Sequence, residues 1–345
     1  MLLERADIDA VSAIDRLAGM QAQYSPSPYI GLWSRVRGFQ RQELEKALVA
    51  HHVFKATLMR GTLHLVSARQ FDLYRLASRF PRHVWSEGPR LLAERGVDVD
   101  ALREEILAAL DVRALKKAEL EKAFRHRIPA DLPDWVAFSV VVSVGAAINH
   151  HEDASFGHFA GSRYRRAPLP GADPVVALRA VLAAYLASFG PATRGDIAQW
   201  LGRSIGLFSD ALDSLNLVSF KDESGRTLLD LPHAPRPDSG VFAPVRFLPK
   251  WDNLLLAYDR RERVLPEAIR KTVIRKNGDV LPTFLVDGVV AGSWEAPLKG
   301  RAAMALAPLA PISARNRRAV EREGEALLAW LRPEAPASEV VWKPA

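Results

Sequence analysis

The feature that most limits how this chain folds is a change of period after Ala50. Before it, apolar residues fall at helical spacing: Ile8, Val11, Ile14, Leu17 and Ala18 in the segment Asp7 to Met20, then a second helical pattern from Gln40 to Ala50. After it, Val53 to Met59 and Thr62 to Val66 read as two strands that meet at Arg60-Gly61, a β-hairpin. Helices followed by a hairpin are the parts of a winged helix, in which the hairpin is the wing.

A comparable order recurs. Helical patterns at Val99 to Leu110, Lys116 to His126 and Asp134 to Ile148 precede a polar, glycine-containing stretch, Asn149 to Arg166, that suits a second wing. Pro174 to Phe189 is then helical, Gly190-Pro191 ends it, and Thr193 caps a new helix running to Leu201. A helix near Leu207 to Leu215 leads into strands at Leu217 to Phe220 and Thr227 to Leu231. No sequence identity links these units, so they are not a strict repeat.

Pro232, Pro235, Pro237, Gly240 and Pro244 mark a boundary or an ordered connector. Beyond it, Val280 to Val286 and Val289 to Trp294 flank Asp287-Gly288, a pair suited to the positive φ angles of a two-residue hairpin turn. Ala302 to Leu306 suits another strand, and Ser313 to Leu331 is a charged amphipathic helix. The expected fold is α+β. Tandem winged-helix units occupy 1–90, 91–170 and 171–235, and a small C-terminal β-barrel with its terminal helix occupies 245–345; a sheet capped by that helix is the other reading of this last part.

A length of 345 residues with 48% hydrophobic and 25% charged composition suits two or three domains. The absence of cysteine excludes disulfides, thiolate catalysis and zinc sites built on Cys. No basic-then-apolar leader and no apolar run of roughly 18 residues is present, so a soluble, cytoplasmic protein with no membrane partner is expected. A net charge of +7 favours polyanions. The excess is concentrated: Arg246 to Lys276 holds nine Lys/Arg against four Asp/Glu, and Arg301 to Arg322 holds five against one. From these clusters Arg270, Lys271, Arg275, Lys276, Arg315, Arg317 and Arg318 are candidate DNA contacts, a solvated face being the alternative.

His150-His151-Glu152-Asp153 is not read as a metal site, because adjacent His side chains in a strand diverge and no His-x-x-x-His spacing occurs. Trp200 and Trp251 sit among Leu and Ile and read as core. No glycine-rich phosphate loop or Ser-His-Asp arrangement stands out. The expectation is a monomer that acts on double-stranded DNA with no metal, nucleotide or other cofactor.

The run Arg16 to Arg35, RLAGMQAQYSPSPYIGLWSR, resembles the N-terminal motif of the AlkZ-type DNA glycosylases. Thr57 to Val66 (TLMRGTLHLV), Gly190 to Gly202 (GPATRGDIAQWLG) and Phe247 to Leu256 (FLPKWDNLLL) agree with it in the same order. The resemblance implies tandem winged helices forming a concave basic surface closed by a C-terminal β-barrel. It also implies monofunctional cleavage of the N-glycosidic bond of alkylated purines, in some members including interstrand crosslinks. The family's catalytic motif is a glutamine, a hydrophobic residue and a second glutamine or an aspartate. Here it falls on Gln21-Ala22-Gln23, the two-amide form with a small middle residue.

Residues two apart in extended chain point the same way, and Ser25-Pro-Ser-Pro28 does not prolong a helix, so the two amides can converge where the first helix gives way. An amide orients a water without deprotonating it strongly. A purine alkylated at N7 or N3 already carries positive charge and leaves as a neutral base, so positioning is most of the task. The bland alternative for Gln21 and Gln23 is a polar helix terminus bonded to backbone. His64, beside Thr62 on one face of the hairpin, suits a phosphate, the lesion or simple packing. Arg60 at the wing tip, Arg35 and Arg37 are further candidate DNA contacts, with plain surface charge as the alternative for the last two. Two other functions remain open: a winged-helix DNA-binding protein or regulator without catalysis, and a basic scaffold for acidic proteins.

Overall fold

Asp9 accepts a hydrogen bond from the Ser12 amide and so caps the first helix, α1 (Ala10–Arg16), in the computed structural model of the protein. The structure describes residues 1–78, 84–150, 156, 163–335 and 339–344. Beyond α1 the chain extends as β1 (Met20–Gln21), then forms α2 (Ser27–Trp33), α3 (Arg41–Val49) and the hairpin β2 (Val53–Thr57) and β3 (Leu63–Ser67). The helix expected to reach Met20 is therefore shorter, because Met20 and Gln21 pair with Leu65 and His64 of β3. The Ser-Pro-Ser-Pro run, expected only to stop a helix, starts one: Pro28 sits in the first turn of α2, where its missing N–H costs nothing.

The hairpin is followed by α4 (Phe71–Ala77), α5 (Val84–Ala93), α6 (Val99–Val112), β4 (Leu115–Lys116), α7 (Lys117–Phe124), α8 (Trp135–Val142), β5 (Ala147–His150) and β6 (Arg163–Arg166). The helix expected over Asp134 to Ile148 ends at Val142, since strand pairing overrides the helical pattern beyond it: Asn149 lies opposite Tyr164 of β6 and Lys55 of β2. That Lys55–Asn149 contact joins the strands of both units into one six-stranded sheet of order β1-β3-β2-β5-β6-β4. His151, Glu152 and Asp153 lie outside the described residues.

The third unit comprises α9 (Pro174–Phe189), α10 (Arg194–Leu201), α11 (Ser209–Asp213), β7 (Val218–Lys221) and β8 (Thr227–Asp230), and Ala192 bridges to Leu229. Thr193 caps α10 by accepting from the Asp196 amide, and Asp196 returns the bond. Helix, short extended segment, helices and hairpin thus follow one another in each of the three stretches.

The last part contains β9 (Arg246–Leu248), α12 (Asn253–Leu256), α13 (Glu267–Val273), β10 (Thr283–Val286), β11 (Val289–Glu295), β12 (Ala303–Pro308), α14 (Ala314–Leu331) and β13 (Glu339–Trp342). Asp287 and Gly288 adopt φ of 50° and 80° and make the two-residue turn between β10 and β11. The expected barrel is not closed: the described strands form an open sheet of order β13-β12-β11-β10-β9. Val320, Leu327 and Leu328 of α14 join Phe247, Phe284, Met304 and Leu306 in one core, so a helix covers the apolar face and the sheet needs no closure to bury it.

The second unit has its own core around Ile106, Leu120 and Val141. By contrast, Phe54 and Val66 of the first hairpin share a core with Tyr185 and Trp200 of the third unit and with Leu255 and Leu285 near the C-terminus. Arg35, a candidate DNA contact by sequence, belongs to this interior framework instead. Its Nη1 and Nη2 donate to both carboxylate oxygens of Asp252 at 2.9 and 2.7 Å, Nη1 also reaches the Gly31 carbonyl at 3.1 Å, and the pair is only 3% and 2% exposed. A guanidinium so enclosed cannot meet a phosphate.

Removing one partner strands a buried charge. Asp252→Ala should cost about 3–5 kcal/mol in urea unfolding, whereas Arg35→Met combined with Asp252→Leu should cost clearly less than the sum of the single changes. Additive losses would mean that the two groups are not energetically coupled.

Candidate active site

The site starts at the turn between α1 and β1. Ala18 and Gly19 take φ of 55° and 80°, which reverses the chain and aims β1 along β3. Asn253, the first residue of α12, holds this turn: its amide nitrogen donates to the carbonyls of Leu17 and Gly19, and its Oδ1 accepts from the Gln21 amide at 3.1 Å. The ladder continues one residue past β1, where the Ala22 amide donates to the Leu63 carbonyl at 2.7 Å.

Gln21 ends β1 and Gln23 lies in the bend that follows, so the two are placed differently. Gln21 is buried and its Oε1 accepts from Arg60 Nη2 at 2.8 Å. Gln23 is exposed, with Oε1 facing the Leu63 amide at 3.3 Å. Tyr24 follows directly, and burial raises its hydroxyl pKa.

The sequence places Arg60 at a projecting wing tip. The structure instead folds its side chain inward, because Arg60 itself takes a left-handed φ of 55° within the turn. Nη1 donates to the Trp200 carbonyl, and Nη2 reaches both Gln21 Oε1 and His64 Nε2, the latter at 3.1 Å. The approach of α10 is equally tight: a Cβ on Gly202, whose φ is 74°, would lie 2.9 Å from Arg60 Cα. Burial pulls the Arg60 pKa down to about 10, which leaves it charged at neutral pH.

His64 takes the packed alternative. It is 1% exposed and its Nδ1 faces the Thr62 carbonyl at 2.9 Å. With Nδ1–H donating there, Nε2 is the acceptor for Arg60. Burial first, and then the charge of Arg60, lower its pKa to about 3 against the Thr62 bond, so it is neutral and has no charge to offer a phosphate.

A groove of about 840 Å³ opens beside Tyr24, with Ile30, Lys250, Arg275, Leu281 and Trp294 among its walls. The Lys250 ammonium lies 5.9 Å from the centre of the Tyr24 ring, 4.6 Å from that of Trp251 and 2.8 Å from Asp279. Of the sequence candidates, Arg275 is thus the one whose side chain borders this groove, which includes Tyr24 but neither glutamine in its walls. Lys271 and Lys276 are exposed near it in sequence, while Arg270 is tied to Glu267 at 2.8 Å. Arg315 and Arg318 are exposed on α14, and the Arg317 guanidinium stacks 4.2 Å from the Trp342 ring centre. Arg37 is exposed and paired with Glu4 at 3.0 Å.

Sequence reasoning missed Asn253, Asp252, Tyr24 and Lys250. The signal was present in Lys250-Trp-Asp-Asn253, since Asp252 caps α12 and thereby fixes where Asn253 points. Among the described residues no cluster of three or more His, Cys, Asp or Glu side chains suits a metal ion.

Residues 14–330 match the family described as DNA glycosylase AlkZ-like. A Streptomyces sahachiroi protein named interstrand DNA cross-link repair glycosylase is 27% identical over 321 residues, covering 84% of this chain and 83% of its own. The solved structure of Streptomyces sahachiroi DNA glycosylase AlkZ aligns with a TM-score of 0.79 at 22% identity, covering 99% of this chain and 95% of that one, which shows a shared fold.

The neutral His64 has a measurable consequence. Its pKa is about 3 in the folded protein against 6.5 as its ordinary value, so below pH 6.5 the unfolded chain binds a proton that the folded one does not. Stability from this residue is complete above pH 6.5 and is lost as pH falls toward 3, at up to about 1.4 kcal/mol per pH unit. The urea midpoint of His64→Gln should therefore decline less than that of the parent between pH 7 and pH 5. Equal declines would show that His64 titrates normally.

Proposed function

The chain belongs to the AlkZ-like DNA glycosylase family, and from that premise we propose that it is a monofunctional enzyme hydrolysing the N-glycosidic bond of alkylated purines in duplex DNA. The observation that carries this reading is the placement of Gln21 at the end of β1, pinned by Arg60, and of Gln23 exposed in the bend that follows, one residue before Tyr24 in the wall of the groove that Lys250 and Arg275 also border. The name of the Streptomyces sahachiroi relative extends the proposal to interstrand crosslinks.

The reaction needs little basicity. As the bond from C1′ to N9 of an N7-alkylated purine breaks, its electron pair returns to the base and cancels the positive charge. Water forms the new bond at C1′ and releases a proton to solvent. Gln23, with an amide oxygen and nitrogen at the protein surface, orients that water, and a site without a strong acid or base discriminates against unmodified purines that lack the leaving-group charge. The three helix-and-hairpin units act as winged helices that carry the duplex, with the exposed cations Lys271, Arg275 and Lys276 meeting phosphates and those of α14 extending the basic surface. The enzyme works as a monomer in the cytoplasm, without a nucleotide cofactor.

Two measurements test this. On duplex DNA containing N7-methylguanine, Gln23→Ala should lower single-turnover base release by about tenfold or more, equivalent to about 1.4 kcal/mol per decade, with DNA affinity nearly unchanged. Binding without base release by the parent protein would instead support a DNA-binding regulator. Separately, replacing Lys271, Arg275 and Lys276 with Ala should flatten the log-log dependence of affinity on salt by about 0.9 for each phosphate that is no longer neutralised. An unchanged slope would place those residues away from DNA.

A further inference from the structure

Gln21 Oε1 and Arg60 Nη2 meet at 2.8 Å, and the chemistry of the two groups fixes the direction of that bond. A guanidinium has donors only, so the glutamine must turn its oxygen toward it. The bonds around Arg60 all run one way. His64 Nδ1–H donates to the Thr62 carbonyl, which makes Nε2 an acceptor, and Nη2 has two hydrogens to satisfy His64 Nε2 and Gln21 Oε1. Nη1 is held by the Trp200 carbonyl at the end of α10. On the other side, the Gln21 main-chain amide is held by Asn253. The Gln21 side-chain nitrogen makes no hydrogen bond among the described residues.

We propose that Arg60 is a positioning residue that locks the Gln21 amide with its nitrogen toward the substrate, so that Gln21 acts as a hydrogen-bond donor to the leaving purine and the water is left to Gln23. The inference rests on the glycosylase reading above and divides the labour within it. As the bond to C1′ breaks, its electron pair moves onto the base, and the ring nitrogens become better acceptors. A donor fixed against such an atom binds more strongly in the transition state than in the ground state, which is what accelerates the step. A glutamine free to rotate would spend part of its time presenting oxygen to an electron-rich base, which repels it. The neutral His64 serves the same end, because a protonated imidazole would offer Arg60 a second donor in place of an acceptor and push the guanidinium out of register.

The test uses the whole chain, duplex DNA carrying N7-methylguanine, single-turnover base release and a separate measurement of DNA affinity. Gln21→Glu keeps the shape and the oxygen facing Arg60 but replaces the amide nitrogen by an acceptor, so release should fall about tenfold or more. Arg60→Met should lower release by a similar factor with DNA affinity within about twofold, and Arg60→Lys, which can still donate to Oε1, should recover part of the loss. A purely structural role for Arg60 predicts parallel losses of rate and affinity with no better outcome for Lys than for Met. That result, or a parental rate in Gln21→Glu, overturns the proposal. The Gln21→Glu arm does not depend on Arg60 variants folding. Absence of release by the parent protein, with DNA bound, would count against the glycosylase reading itself, and is distinguishable from these outcomes.

Discussion

The buried ion pair of Arg35 and Asp252 ties the end of α2 to the segment that begins α12, and β1 is placed by what stands next to it. A bidentate guanidinium-carboxylate pair is demanding in geometry. Once Asp252 is fixed by Arg35 and by its cap on α12, Asn253 has little freedom, and its side chain saturates the turn at Leu17 and Gly19 and the Gln21 amide. The order of dependence therefore runs from a charge pair, through one amide side chain, to the main chain of the strand that presents Gln21.

Around Gln21 the charged group is Arg60, whose guanidinium donates to the Trp200 carbonyl, to His64 and to Gln21 itself, while Lys250 and Arg275 border the groove farther along. On the proposed reading this suits the substrate. A cationic alkylpurine needs no strong acid to leave and no strong base to generate its nucleophile, so the protein gains more from fixed dipoles than from titrating groups. A weak but well-oriented site also leaves ordinary purines alone, since they lack the leaving-group charge that makes such modest assistance sufficient.

Elements defined by local rules were legible from sequence. Thr193 caps α10, Asp287-Gly288 turns a hairpin, and the periods of Pro174–Phe189 and Ser313–Leu331 match α9 and α14 with its cap. What depended on distant partners was not. Nothing local says that Ala147 and Ile148 leave a helical pattern to pair with β6, or that α14 would cover one face of the last sheet and leave it open. The same holds for the site. That Gln21 lies in extended chain beyond the first helix followed from its neighbours, but the bend at Gln23 did not, and how Arg35, Arg60 and His64 are paired is set by Asp252, Trp200 and the turn itself, which lie elsewhere in the fold.

The shared core gives these inward-facing groups their purpose. A hairpin turn with a left-handed arginine at its tip costs free energy and would relax if it stood alone. Here α10 holds it from the third unit, with Gly202 against the Arg60 backbone and the Trp200 carbonyl on its guanidinium, while Asn253 holds the partner strand from the C-terminal part. The first hairpin is thus fixed from two directions by segments more than a hundred residues away in the chain. Since Phe54, Trp200 and Leu255 lie in one core, movement of the first unit against the third would break packing as well as hydrogen bonds. The first and third units are therefore not beads free to adjust separately along a duplex. On the proposed reading a substrate has to adapt to the place where the fold holds Gln21, and that rigidity lets uncharged amide side chains serve a reaction in which placement counts for more than basicity.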